Sequence, residues 1–467
     1  RVGDQVWENR GVVLTLDEVI QFFTEHHLKN QVEKYQAKSG IAVVMNPNTG
    51  EIYALANIPQ YNPNSYSIYQ PQRWRNYAIS NAYEPGSIFK PIVAAAVIDS
   101  GAALPDDMFF CENGKFGIKT RNGEATFGEA DNHKFGWLTL KNIIVQSSNI
   151  GSIKIAQQLG QRSFYDYIRK FGFGQKSGVE LPGETPGKLR ELSSWGLRSL
   201  ASISFGQEIS VTPLQITAAM GAIANGGVLM APRIAHAVIN NGQVGDKFEP
   251  KTVRRVISAQ TGRQMVDILK SVVKDGTGKK AAVQGYEIAG KTGTAQKYDP
   301  KTGGYSKTAF VSSFVGFAPA DAAKVAILVM IDEPKGTHWG GSVAAPVFSS
   351  HFRGRPPRGR GRPPSKYAAA SLFSGCGGLD YGAEQTGDVE VVWAVDSDEW
   401  AVRTYAENLG RHVWHADVTE TEFPDVPCDI LLAGPPCQDF STLWNLDGAR
   451  TERGNLFREV ARFLDQR

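Results

Sequence analysis

EPGSIFKP, residues 84–91, opens the apolar run GSIFKPIVAAAVIDSG, which predicts a buried helix beginning near Ser87. Ser87 and Lys90 stand three apart at its start. Residues at i and i+3 share a helix face, which brings the Lys90 amine within reach of Ser87 Oγ. A serine hydroxyl is a weak nucleophile until a base takes its proton. A lysine can be that base if desolvation and neighbouring cations lower its pKa. Pro91 falls early enough in the helix that its missing N–H costs little. The helix N-terminus also offers backbone N–H groups to a developing oxyanion. Alone the pair is a weak signal, because S-x-x-K arises by chance in many chains.

Two more elements lie downstream. LKNIIVQSSNIGSIKIAQQLG reads as two helices joined at Ser147–Asn149, and taken alone SSN is only a helix-to-helix turn. YEIAGKTGTAQKY reads as a strand carrying KTGT at Lys291–Thr294. Gly293 within that strand allows close approach of a ligand backbone; the plain alternative is a solvated lysine beside an edge glycine. The order S-x-x-K, S-x-N, K-T-G, on a helix, an inter-helix turn and a strand, resembles the penicillin-binding protein and serine β-lactamase superfamily. YEPGSIFKP, SSNIGSIKIAQQLG, FGQEISVTPLQITAAMGAIANGG, AGKTGTAQK and WGGSVAAPVF extend the likeness to class B high-molecular-mass penicillin-binding proteins, from about Gly11 to Phe348.

This resemblance implies a D,D-transpeptidase that crosslinks peptidoglycan stem peptides. Ser87 would be the acylated nucleophile and Lys90 its base. Ser147 would relay the proton toward the leaving amine, and Asn149 would bind the substrate's amide side. Lys291 would supply positive potential, and Thr292, Gly293 and Thr294 would line the carboxylate site. The N–H groups of Ser87 and Thr294 would form the oxyanion hole. β-Lactams would bind covalently at Ser87, and no cofactor or metal is implied. The family works on the outer face of the bacterial cytoplasmic membrane with cell-division proteins. A membrane anchor and most of a pedestal domain are therefore expected ahead of Arg1 in a full-length relative. The alternative chemistry on the same fold is β-lactam hydrolysis or sensing, which needs a base that activates a deacylating water.

The 467 residues suggest two or three domains with ample length for a buried core. A net charge of +3 is too small to argue for a nucleic-acid or membrane partner. No apolar run approaches the ~18–20 residues of a membrane span. Cys111, Cys376, Cys428 and Cys437 show no metal spacing, and a disulfide framework is not expected. GVVLTLDEVIQFFTEHHLKNQVEKY reads as a short strand and an amphipathic helix from Asp17. SGIAVVMNPNTGEIYALANIP reads as a hairpin, and TPLQITAAMGAIANGG as a helix stopped at Gly226–Gly227. With KTAFVSSFVGFAP and KVAILVMIDEP as successive strands, residues 1–350 read as an α+β domain: an antiparallel sheet flanked by helices.

Residues 351–366 break this pattern. RGRPP occurs at Arg353–Pro357 and again at Arg360–Pro364, with five arginines and no acid over 353–362. Such a strap resembles an AT-hook that lies in an AT-rich minor groove of DNA. It reads equally as a charged, extended linker.

From 367 to 467 strands and helices alternate, which implies a parallel sheet. LFSGCGGLDYG places glycines in a tight turn after a strand, VVWAVDSDEW ends a strand in acids, and ILLAGPPCQDFS ends one at Cys437. In this order the motifs resemble the DNA cytosine-5 methyltransferases, and RGNLFREVARFL matches the helix that follows. The resemblance implies an S-adenosylmethionine site lined by Phe373, Gly375, Asp396 and Asp417, with Asp398 as the alternative ribose ligand. Cys437 would attack C6 of a flipped cytosine. Ser371 stands where the family commonly has an acid. The family's later motifs do not occur before Arg467, so an incomplete, inactive Rossmann-like fragment is expected, working in the cytoplasm. A DNA-binding or methylating fusion is the alternative reading of the whole chain.

Overall fold

The structure is a computed structural model that describes residues 10–120, 123–240, 243–299, 302–352, 367–375, 377–385, 389–424, 428–434 and 457–465. It divides into two compact units, Arg1–Pro357 and Arg358–Arg467. The RGRPP strap, Cys376 and Cys437 lie outside the described residues.

In the first unit a strand, Arg10–Leu14, precedes helix α1 (Glu18–Lys34), whose N-cap Asp17 accepts from the Ile20 N–H at 2.9 Å. The hairpin β1 (Ser39–Met45) and β2 (Ile52–Ile58) follows. Next come the helices α2 (Lys90–Asp99), α3 (Leu140–Gln146), α4 (Asn149–Leu159), α5 (Pro213–Ala224) and α6 (Ala259–Lys274). Strands β3 (Ala289–Asp299), β4 (Gly304–Ala318) and β5 (Val325–Asp332) complete a five-stranded sheet of order β3-β4-β5-β1-β2, antiparallel throughout.

Successive strand residues point to opposite faces, and both faces of this sheet are covered. Ile41, Val43, Met45, Val315, Phe317, Leu328 and Met330 join the core formed with α2 to α6. Ala42, Val44, Phe314, Val329 and Ile331 pack instead with Leu28 and Val32 of α1 and with Val347 and Phe348. The edge strand β2 is blunted by Gln21, whose amide accepts from the Leu55 N–H at 2.7 Å and donates to the Leu55 carbonyl at 3.3 Å.

α1 departs from the expected amphipathic pattern. Its buried residues are Thr24, Leu28, Gln31 and Val32, while Val19 and Phe22 in its first half are exposed. The face carrying Ile20, Gln21, Thr24 and Leu28 lies over the sheet, so Val19 and Phe22, on another face, stay exposed despite being apolar.

The second unit carries a four-stranded parallel sheet of β6 (Tyr367–Leu372), β7 (Val389–Asp396), β8 (Val413–His415) and β9 (Ile430–Ala433), in the order β8-β7-β6-β9. Helices α7 (Gly378–Glu384), α8 (Glu399–Asn408) and α9 (Phe457–Asp465) accompany it. Tyr405 of α8 and Phe463 of α9 are buried in separate clusters, Tyr405 with Ala369 and Val391, Phe463 with Ala370 and Trp393.

Candidate active site

Ser87 sits half-buried in a 3-10 turn, Gly86–Phe89, that leads directly into α2. The turn is braced from behind. The Gly86 N–H donates to the Gly206 carbonyl at 3.0 Å, and Glu84 Oε1 accepts from the Glu208 N–H at 2.9 Å. Gly206 has φ +82°, and a Cβ there would lie 2.2 Å from the Gly86 carbonyl oxygen, so only glycine lets the two segments meet.

The Lys90 side chain is fully buried. Its Nζ donates to the Ser147 carbonyl at 2.6 Å and to Asn149 Oδ1 at 2.8 Å, and lies 3.3 Å from Ser147 Oγ. Here the structure differs from the expected Lys90–Ser87 pairing: no hydrogen bond engages the Ser87 hydroxyl among the described residues. A buried ammonium needs acceptors for its three donors, and the α3–α4 turn supplies them more fully than one hydroxyl could. Burial lowers the Lys90 pKa to about 7, against an opposing pull from the Glu129 carboxylate.

Ser147 makes this possible through its backbone. It closes α3 in the left-handed region, at φ 60° and ψ 37°. That conformation is uncommon for a non-glycine residue and carries a cost of ~1–3 kcal/mol. Its carbonyl meets Lys90, and its hydroxyl meets both Lys90 and Lys291, whose Nζ donates to it at 2.9 Å. Lys291 is also fully buried and donates to the Thr292 carbonyl at 3.0 Å. Burial holds its pKa well below the ordinary lysine value, and Lys90 lowers it further. The two buried amines flank one hydroxyl, and the closeness of Lys90 disfavours a second charge on Lys291.

Gly293 has a packing reason as well. A Cβ there would lie 2.5 Å from Ser313 Oγ and 2.8 Å from Ile88 Cγ2. The missing side chain lets edge strand β3 seat against the Ser87 turn, so the close neighbour is the protein's own Ile88. Thr292 and Thr294 alternate onto the other face of β3. Thr292 Oγ1 is 2.6 Å from Thr277 Oγ1, and Thr294 Oγ1 accepts from the Gly340 N–H at 3.1 Å. A cavity of about 810 Å³ opens beside the turn, lined by Tyr83 and Glu84 and by Ala295, Gln296 and Tyr298.

Sequence reasoning missed Glu129. Its Oε1 accepts from Ser148 Oγ at 2.5 Å and from the Ile150 N–H at 3.3 Å, and its Oε2 from the Asn149 N–H at 2.6 Å. It lies 20 residues before Asn149 in a segment with no motif spacing, so only the fold brings it to the site.

In the second unit Phe373, at φ +56°, follows β6. The Gly375 N–H donates to Asp396 Oδ2 at 2.8 Å, and the Asp398 N–H to Asp396 Oδ1 at 2.9 Å. The Ala416 N–H donates to the Asp396 carbonyl at 3.0 Å, which brings the β8 end alongside. Phe373, Gly375, Asp396 and Asp417 thus gather at the carboxyl ends of parallel strands. Asp417 Oδ1 accepts from the Thr419 hydroxyl at 2.7 Å and its N–H at 2.8 Å, which hold its pKa below the usual carboxylate range. Asp398 spends Oδ1 on the Ala401 N–H as the N-cap of α8. Ser371 Oγ donates to the buried Asp380 at 2.7 Å, so an acid nine residues on occupies its neighbourhood. A carboxylate held by backbone donors at a strand's carboxyl end fits a ribose hydroxyl. No cluster of potential metal ligands occurs among the described residues.

Comparisons with known proteins agree with this division. Residues 40–353 match the family model of the penicillin binding protein transpeptidase domain, and residues 367–467 match that of C-5 cytosine-specific DNA methylase. The chain is 39% identical over 345 residues to stage V sporulation protein D of Bacillus subtilis, covering 73% of this chain and 52% of the relative. It is 33% identical over 351 residues to the probable peptidoglycan D,D-transpeptidase PenA of Neisseria gonorrhoeae, covering 74% and 56%. It also resembles the crystal structure of penicillin binding protein 3 from Mycobacterium tuberculosis complexed with aztreonam. There the TM-score is 0.68 at 35% identity, over 73% of this chain and 78% of that one. The chain spans about half the length of the first of its curated relatives.

Proposed function

Because the chain belongs to the penicillin-binding protein transpeptidase family through residues 40–353, we propose that it is a serine D,D-transpeptidase acting on peptidoglycan stem peptides. The observation that carries this reading is the chain Lys90–Ser147–Lys291, one hydroxyl between two buried amines, with Lys90 opening the helix that the Ser87 turn leads into. In its neutral form Lys90 takes the Ser87 proton as Oγ bonds to the penultimate D-Ala carbonyl carbon. The proton passes through Ser147 to the departing D-Ala amine as the peptide bond breaks. A neighbouring stem's amine then attacks the ester, gives up a proton by the same route, and restores Ser87. Asn149 holds the donor's amide side. Lys291, Thr292 and Thr294 meet the terminal carboxylate, whose arrival favours the protonated form of Lys291. The N–H groups of Ser87 and Thr294 receive the oxyanion.

β-Lactam hydrolysis on the same scaffold would need a carboxylate free to activate water. Glu129, the carboxylate that bears on Lys90, has both oxygens occupied by the Ser148–Ile150 segment. That supports a long-lived acyl-enzyme over turnover. The substrate places this activity in the bacterial cell envelope, outside the cytoplasmic membrane. No helix among the described residues is long and apolar enough to cross a membrane. The transpeptidase reaction uses no cofactor.

For residues 367–467 we propose S-adenosylmethionine as the ligand. Asp396 would take the ribose, with Phe373, Gly375 and Asp417 around it. When bound it supplies the methyl group for cytosine C5. Cys437 is the proposed nucleophile toward C6, and the strap at 353–362 the proposed DNA contact.

The transpeptidase reading is tested by intact-mass measurement after penicillin treatment. One covalent adduct is expected, mapping to the peptide that contains Ser87 and absent from Ser87→Ala. An unmodified protein, or an adduct that survives in Ser87→Ala, would overturn it.

A further inference from the structure

We propose that Glu129 is a positioning residue for this site: it clamps the Ser148–Ile150 segment from outside the three motifs, and so fixes where Ser147 and Asn149 meet Lys90. This rests on Ser87 being the acylated nucleophile.

The geometry is that of a three-pronged cap. The first N–H groups of a helix lack partners within it. At α4 the Glu129 carboxylate takes the Asn149 and Ile150 N–H groups together with the Ser148 hydroxyl. That hydroxyl in turn accepts from the Gly151 N–H at 2.9 Å, so its donor direction is set. Asn149 is fixed at both ends of its amide. Nδ2 donates to the Gly128 carbonyl at 3.1 Å, and Oδ1 accepts from Lys90 Nζ at 2.8 Å. Gly128 and Glu129 are consecutive, so one short segment holds both the backbone and the side chain of Asn149. With the amide pinned this way, Oδ1 and not Nδ2 faces the base. Ser147, one residue before the clamped segment, keeps its left-handed conformation and aims its carbonyl and hydroxyl at the lysines.

None of these hydrogen bonds involves Ser87, so Glu129 acts through the turn. Its charge also bears on Lys90, favouring the protonated amine and opposing the effect of burial. The other titratable group at Lys90 is Lys291 on β3, reached through Ser147 Oγ. Lys154 on α4 is paired with Glu112 at 2.7 Å, and both bear on the Cys111 thiol.

The test measures acylation by penicillin per active site, from pH 5 to 9, in the full chain. In Glu129→Gln one end of the carboxyl becomes an NH2 that faces a donor. The expected result is an alkaline plateau at least ~10-fold lower, with the inflection moved to lower pH by about half a unit. Glu129→Asp keeps the charge and should return the inflection to the wild-type position, with a slower plateau from its shorter reach. A Gln variant matching wild type in plateau and inflection would overturn the proposal. A slower plateau with an unmoved inflection would also overturn it, because general loosening predicts that. Should Glu129→Gln not fold, a wild-type plateau in Glu129→Asp decides against the clamp. If the wild type is not acylated at all, the transpeptidase reading falls and this inference falls with it.

Discussion

Acylation of Ser87 should follow the titration of Lys90. The ordinary lysine value is 10.5, and burial brings this one to about 7. At pH 7 an ordinary lysine would be neutral in roughly one molecule in 3,000, and Lys90 in roughly half of them. Burial therefore raises the fraction competent to take a proton by about 10³, equivalent to about 4–5 kcal/mol of differential solvation. The sign follows from the base role: the neutral amine is the active form, so the rate rises with pH. The second-order rate constant for acylation, read by rapid quench and intact mass, should climb about tenfold per pH unit from pH 5 and level off above about 7. Lys90→Ala should be slow and flat across the same range. A wild-type rate that stays flat below pH 7, or that rises only toward pH 10, would refute the reasoning. So would a Lys90→Ala rate close to wild type.

Two further outcomes follow from burial and packing. Between pH 7 and 10.5 the unfolded chain holds a proton on residue 90 that the folded chain has released, so wild-type stability should rise with pH there. Lys90→Met lacks this slope. Its urea stability should exceed wild type at pH 6, and the gap should shrink by roughly 3 kcal/mol by pH 9.5; parallel pH dependences would contradict the burial argument. Gly293→Ala should lose at least ~30-fold in acylation at a stability cost of about 1–3 kcal/mol, because its Cβ wedges Ile88 and the Ser87 turn away from β3. Wild-type acylation by that variant would show that β3 has room to spare.

Much of the site was legible because its parts are local. Ser87 and Lys90 are fixed by helical spacing, Ser147–Asn149 by a helix boundary, and Lys291–Thr294 by a strand. What sequence could not carry was the partner of each part. Lys90 reaches across 57 residues to the Ser147 carbonyl in preference to the serine three positions away. Gly293 is small for the sake of Ile88. Glu129 has no spacing relation to the motif it clamps. The sheets were legible in kind, because alternation and βα repetition are sequence properties. The β3-β4-β5-β1-β2 order was not, since it sets the 39–58 hairpin beside a strand that begins at residue 325. Cys437 and the arginine strap were legible only as motifs, and they lie outside the described residues.

The two buried amines on either side of Ser147 Oγ form a proton relay shut away from solvent. Each half of the reaction releases one proton from a nucleophile and delivers one to a departing group. Under the proposed mechanism the site would finish every half-cycle at the charge with which it began, drawing nothing from bulk solvent while the ester forms or breaks. Turnover at fixed pH should then be indifferent to the concentration of buffer. In the proposed cycle the acid and the base would be the same side chain at two moments, and a single seryl hydroxyl, held by one left-handed backbone position, would be the channel between them.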